Sequence, residues 1–245
     1  MQDRALRTRQ AILLAAAKVF EERGYRAATI ADILAEASVT KGALYFHFQS
    51  KEDLVEGVLQ EQDAQLPIPE RACKSQELVD RVMLQTHRLQ TDGMVRAGVR
   101  LTLDQRAGEA GRPGPFLRWT QICVRLLEDA RRQGELLPHV VPETTAGVLV
   151  GSFGGIQAMS QALSDYRDLA GWAVGLLRHL LPSVVQPSVL ASLDITEGRG
   201  AKVFEEALAL QDGRMAPATR RPHPRQSIAP GGSTASFGAA ASPVT

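Results

Sequence analysis

Lys41, Tyr45 and His47 offer hydrogen-bond donors within seven residues, and Lys41 and Tyr45 are four apart, on one side of any helix that carries them. Donors along one helix edge suit a rigid, repeating anion, and the phosphates of a nucleic-acid duplex are such an anion. Gly42 removes a side chain between them, so that backbone can approach a groove. Each residue also has an ordinary reading: Gly42 as a poor helix former, Tyr45 as a half-buried core ring, His47 as a solvated imidazole. What favours the nucleic-acid reading is the set of elements the surrounding sequence builds.

Thr29 and Asp32, three apart, form a capping pair that supplies side-chain oxygens to the orphan amides of a helix start. Behind them Ile30, Ile33, Leu34 and Ala37 fall at helical spacing, predicting a helix from Ile30 to about Ala37. Ser38 and Val39 turn the chain, Thr40 caps again, and a second helix runs from Lys41 to His47. Two turns are too short to stand alone, so this helix must be held by packing through Leu44 and Phe48. A third capping pair, Ser50 with Asp53, follows. Together these segments predict a helix-turn-helix.

Ahead of it, Leu6 to Arg23 is a helix with an inward stripe of Ile12, Ala16, Val19 and Phe20, following a polar arm and ended by Gly24. The predicted organisation is therefore a DNA-binding head at 1–50, a connecting helix at 51–66 with Leu54, Val55, Val58 and Leu59 inward, and a body at 67–210. Pro67 and Pro69 stop the connecting helix. Every long body segment has helical period and none alternates like a strand, so the fold class is all-α. Helices are expected over Gln76 to Thr91, Met94 to Gln105, Phe116 to Arg132, Glu143 to Ser164, Leu169 to Leu181, Pro187 to Leu193 and Ala201 to Leu210. The Gly- and Pro-rich run at 107–115 reads as a loop, and 211–245, poor in large apolar residues, as a disordered tail.

With 245 residues and 44% apolar content the chain can bury a full core. Its longest apolar stretch, Ala146 to Met159, is broken by glycines and too short to cross a bilayer, and the N-terminus has no apolar leader, so a cytoplasmic location without membrane association is expected. Cys73 and Cys123 have no CxxC or ligand-spaced His around them, so no disulfide, metal or cofactor is indicated. No GxSxG, P-loop or GxGxxG occurs, and the histidines of the body and tail lie in separate segments, which argues against an enzyme. Over residues 1–66 there are 8 Lys and Arg against 10 Asp and Glu, a net charge of −2. Placement rather than bulk charge carries the DNA reading: Arg4, Arg7, Arg9, Lys41 and Lys51 fall at the arm and helix starts.

The helix ending in Phe20 and Gly24-Tyr25, then Thr29, then TKGALYFHF and Lys51-Glu52, resembles the TetR family of bacterial transcriptional repressors, and TKGALYFHF most resembles its γ-butyrolactone receptor branch. The motif covers roughly residues 8–65, and a weaker likeness continues to about Gly200. The resemblance implies a homodimer on a palindromic double-stranded DNA operator. Lys41, Gly42 and Ala43 would lie near bases, Thr29, Tyr45, His47 and Lys51 on phosphates, with Thr40 and Leu44 completing the DNA-facing set. It also implies a small apolar effector in the body, reached by Gln62, Met83, Val99 and Trp119. Spacing alone would leave Trp119 as a core indole. The sequence departs from the branch at Gly154, where the receptors are expected to carry a hydroxyl residue, and in its pI near 7.9, which is less acidic than lactone receptors. A pseudo-receptor for an antibiotic or intermediate therefore stays open, as do a ligand-independent dimeric DNA-binding protein and an enzyme with a DNA-binding head. Glu143 to Ser164, rich in small residues, together with Leu169 to Leu181, is the expected dimer face.

Overall fold

The computed structural model describes residues 2–62, 66–103 and 114–213, and the protein is helical through them. The helices are α1 Gln2–Ala27, α2 Ile30–Ala37, α3 Lys41–His47, α4 Lys51–Gln62, α5 Lys74–Thr91, α6 Gly93–Leu103, α7 Gly114–Arg132, α8 Pro142–Ser164, α9 Leu169–Leu180, α10 Pro187–Leu190 and α11 Arg199–Gln211. Among the described residues there is no strand, only an isolated antiparallel bridge between Leu136 and Val185. Several boundaries move from their sequence-based positions. The first helix already includes the expected arm from Gln2, α4 stops at Gln62 rather than Leu66, and Gly114 and Pro115 open α7 instead of closing a loop. Most of the expected 107–115 loop, and the expected tail beyond Gly213, lie outside the described residues.

Two apolar cores organise the chain. The first joins Ile12, Leu13, Ala16, Val19 and Phe20 of α1 with Ile33, Leu44, Phe48 and Leu54, Val55 and Val58 of α4. It also takes in Met94, Ala97 and Leu101 of α6, so the head is not closed at residue 50: a helix expected in the body completes its core. Near the end of α1, Gly24 adopts φ +72°, a conformation that favours glycine, and breaks the helix where the Arg100 guanidinium crosses it. Arg96 pairs with Glu21, and Arg100 donates to the Glu21 carbonyl, so α6 is fastened to α1 by charge as well as by packing.

The second core joins Val79, Val82, Met83 and Leu89 of α5 with Cys123 and Leu127 of α7, Leu149 and Phe153 of α8, and Leu169, Ala173 and Leu177 of α9. Asp80, with no exposed surface, accepts from the Arg71 Nε and from the Arg199 Nε and Nη2, each at 2.7 Å, and from Gln76, which ties α11 to α5. Burial pushes the Asp80 carboxyl up, but Arg199, Gln76 and Arg71 outweigh it and hold it below the usual carboxylate range. The N-terminus of α5 has no cap of its own from Cys73; Glu135 reaches across to accept from the Lys74 and Ser75 amides at 2.8 and 2.7 Å.

Candidate nucleic-acid interface and ligand cavity

The head's second and third helices are positioned by the caps the sequence provides. Thr29 Oγ1 accepts from the Asp32 amide at 3.1 Å while Asp32 accepts from the Thr29 amide at 3.0 Å, a complete capping box. Ser38 takes a left-handed conformation, φ 52° and ψ 40°, to end α2. Thr40 accepts from the Ala43 amide at 3.3 Å, and the Phe48 amide donates to the Leu44 carbonyl at 2.9 Å, closing α3. Ser50 accepts from the Asp53 amide at 3.0 Å, and Asp53 accepts from Gln49 at 2.8 Å, launching α4.

Leu44 and Phe48 are buried, so α3 is held from behind and turns one face outward. On that face Lys41 lies 5.8 Å from the centre of the Tyr45 ring, and Gly42 has open space where a side chain would be. Ala43 and His47 are partly exposed. Geometry bears on three of the expected roles. Leu44 is fully buried and cannot present its side chain to DNA; it seats the helix. The Lys51 ammonium donates to the Tyr25 carbonyl and lies 4.2 Å from the Tyr25 ring centre, contacts within the head that a phosphate would share. The Thr29 hydroxyl donates to Asp32 at 2.7 Å besides capping α2, which leaves it one lone pair and no proton for a phosphate.

Sequence reasoning missed Phe46, the most exposed large apolar side chain of the head at 77%, edge-on to His47 with centres 5.0 Å apart. Its position two before Phe48, which is buried, puts it off the inward stripe; that offset was the available signal. A bare aromatic ring beside a cation and a phenol is a surface made to be covered.

In the body, a cavity of about 460 Å³ including its mouth is lined by Gln62, Val99 and Trp119, three of the four expected ligand residues. Trp119 stacks on Phe153, and Phe116, Val150 and Gly154 complete an apolar wall, so α8 contributes a side not foreseen beyond α5, α6 and α7. Gln85, Thr102 and Gln157 add neutral polar groups. Phe153 and Gln157 are four apart in a helix, the spacing that would have marked them as partners. The Gln62 Oε1 is buried without a hydrogen-bond partner among the described residues and packs where a side chain at Gly98 would have to be. Gly154 lies in the wall with Phe116 about 3.5 Å from where its Cβ would stand. Met83, the fourth expected residue, is fully buried in the body core away from this cavity, and its carbonyl abuts Gly200 of α11; it packs helices instead of lining the site. Among the described residues, no cluster of three or more His, Cys, Asp or Glu side chains could hold a metal, and no helix is long and apolar enough to cross a membrane.

An exposed apolar face runs along α8 and α9. Val148, Met159 and Leu163 are exposed, Gly147, Gly151 and Gly155 have open space where side chains would be, and Trp172 stands beside them. The Trp172 indole donates to Asp168 at 3.0 Å, and Ser160 and Ser164 also donate to that carboxylate. The Ser160 hydroxyl first, then Ser164, lowers the Asp168 pKa to about 2.

The family described as bacterial regulatory proteins, tetR family, matches residues 12–58. The A-factor receptor protein of Streptomyces griseus is 39% identical over 198 residues, 81% of this chain and 71% of that protein. Among solved structures, full-length native TylP, a TetR regulator from Streptomyces fradiae, superposes with a TM-score of 0.74 at 42% identity, covering 84% of this chain and 99% of that one. A γ-butyrolactone receptor described as an ArpA-like protein gives 0.60 at 29% identity, covering 83% and 98%.

Proposed function

Since the chain belongs to the TetR family of transcriptional regulators, in its γ-butyrolactone receptor branch, we propose that it is a homodimeric repressor released from a palindromic operator by a small, largely apolar effector. The observation that carries this reading is the pairing of two features on one chain. A capped two-turn helix presents Lys41, Tyr45 and Phe46 to solvent, and a cavity lined by Trp119 lies at the far end of the helix that leaves the head. One α3 reads only a few base pairs, so two heads about one helical turn apart (~34 Å) make a site readable. The glycine-rich face of α8 with Trp172 supplies the apolar surface for that pairing. Lys41, with the bare backbone at Gly42 and Ala43, meets base edges; Tyr45 and His47 meet phosphates, and Phe46 packs against the groove wall.

The effector acts through α6, which lines the cavity with Val99 and Thr102 and is fastened to the head through Arg96 and Arg100. A ligand that fits one placement of α6 better than another shifts the spacing of the two heads without touching DNA. The relatives' names support γ-butyrolactones as the first effectors to try, and control of antibiotic production or differentiation genes is the role we infer with them. The test begins with selection of bound duplexes from a random pool, followed by mobility shifts with γ-butyrolactones and producer extracts. Recovery of a palindrome and its release by a small molecule is expected. A selected site that no compound or extract releases would favour a ligand-independent DNA-binding protein, and turnover of the compound would favour an enzyme.

A further inference from the structure

A second cavity, about 510 Å³ with its mouth, adjoins the first and shares Trp119 and Gln85 with it. Its other walls are Leu66, Ile68, Leu84, Ile122 and Cys123, with Arg81 and Arg88 among them. The two cavities differ in chemistry. The first offers only neutral polar groups, whereas the second contains two guanidinium groups in an otherwise apolar wall.

The charges there are unevenly engaged. Arg88 donates to the Gln62 carbonyl at 3.4 Å and lies 3.8 Å from Asp92. Among the described residues Arg81 has only the Glu77 carboxylate, 3.7 Å from its Nη2, and that carboxylate is already held by Lys74 at 2.8 Å and by the Arg71 amide at 3.2 Å. The Arg81 Nε is buried and has no hydrogen-bond partner among the described residues. A buried donor on a cation left without an acceptor is costly, and the group that would satisfy it is an anionic oxygen. The remaining titratable neighbour does not supply one: burial pushes the Cys123 thiol up to about 12, so it stays neutral. The planar edge of a guanidinium, Nε with one Nη, matches the two coplanar oxygens of a carboxylate.

We propose that the effector is an amphipathic acid whose carboxylate sits on Arg81 in the second cavity while its apolar part passes Trp119 into the first. This rests on the reading of the first cavity as the effector site. It selects acids, including opened lactones, over neutral compounds of the same length.

The test is calorimetry on the full-length protein with a matched pair of probes, decanoate and 1-decanol, at pH 7.5. Decanoate is expected to bind at least about tenfold more tightly than decanol, because hydrogen bonds to ionised groups exceed neutral ones. R81M should bring the two within about twofold while keeping decanol binding; R81Q serves the same purpose if R81M does not fold. Equal affinity of the wild type for acid and alcohol, or an acid preference that survives loss of the guanidinium, overturns the proposal while leaving the cavity reading intact. Failure of both probes to bind the wild type removes the cavity reading and the proposal together.

Discussion

The Trp119 indole lies parallel to the Phe153 ring, within 3°, with centres 5.9 Å apart. Parallel planes at that separation are an offset stack, which joins α7 to α8 while leaving indole surface toward the cavities. Trp119→Ala should keep dimer and operator binding but abolish release by an effector that frees the wild type. Typical allosteric coupling of ~1–3 kcal/mol corresponds to a roughly 5- to 150-fold loss of operator affinity, which the variant should not show. Mobility shifts with both proteins decide it; continued release places the site elsewhere, and loss of folding makes Trp119 a core residue.

On the head, Lys41→Ala should change the preferred duplex in a selection from random sequence, whereas Tyr45→Phe should weaken all duplexes alike, because a phosphate contact carries no base information. Each loss should be about 1.5–3 kcal/mol at most. The Lys41 ammonium lies near the Tyr45 ring, so the double variant should lose less than the two single losses added together. An unchanged operator preference in Lys41→Ala would remove its base-reading role.

Gly151 is exposed, and a Cβ there would meet nothing within 4 Å in one protomer, so a larger residue is expected to be tolerated in the isolated chain. Gly151→Leu should therefore leave the protomer folded but weaken the dimer, measured as a lower mass by light scattering at micromolar concentration. Wild type that is already monomeric there would sink the dimer.

Removing Asp80 leaves Arg71 and Arg199 facing each other in the body. Asp80→Asn should cost about 3–5 kcal/mol in urea unfolding, the usual penalty for breaking a buried pair from one side. The folded carboxyl titrates below its unfolded value, about 3.9. Its contribution is thus complete above that pH and is lost as pH falls through the lower folded value. The stability gap between wild type and variant should narrow from pH 7 to pH 3; a gap that widened on acidification would contradict the assignment.

Much of the head was legible because caps are local chemistry. Thr29 with Asp32, Thr40 and Ser50 each act within four residues, and each forms as its spacing implies. What the sequence hid depends on contacts between distant segments. Lys51 looks like a phosphate ligand alone until Tyr25, 26 residues earlier, is brought beneath it. Met83 and Val99 both lie on inward stripes, yet only the packing of α5 within the body core decides that Met83 is enclosed while Val99 borders a cavity. Periodicity likewise assigned α6 to the body alone, because the stripe does not say that Val95 and Val99 enter one core while Met94, Ala97 and Leu101 enter the other.

Some of the head's cations are engaged by its own groups at the surface. Lys18 is 2.8 Å from Glu36, Arg23 is 2.7 Å from Asp32, and Lys51 is held by Tyr25, while the net charge of the segment stays negative. Each phosphate neutralised contributes about −0.9 to the salt slope of binding, so a head of net negative charge that pairs Lys18 and Arg23 with its own carboxylates should have a shallow slope and short residence on arbitrary sequence. The consequence is kinetic. Such a protein samples the chromosome by many brief encounters from solution rather than by long scans along the duplex, and its effective concentration is set less by competing genomic DNA than by how many copies the cell makes.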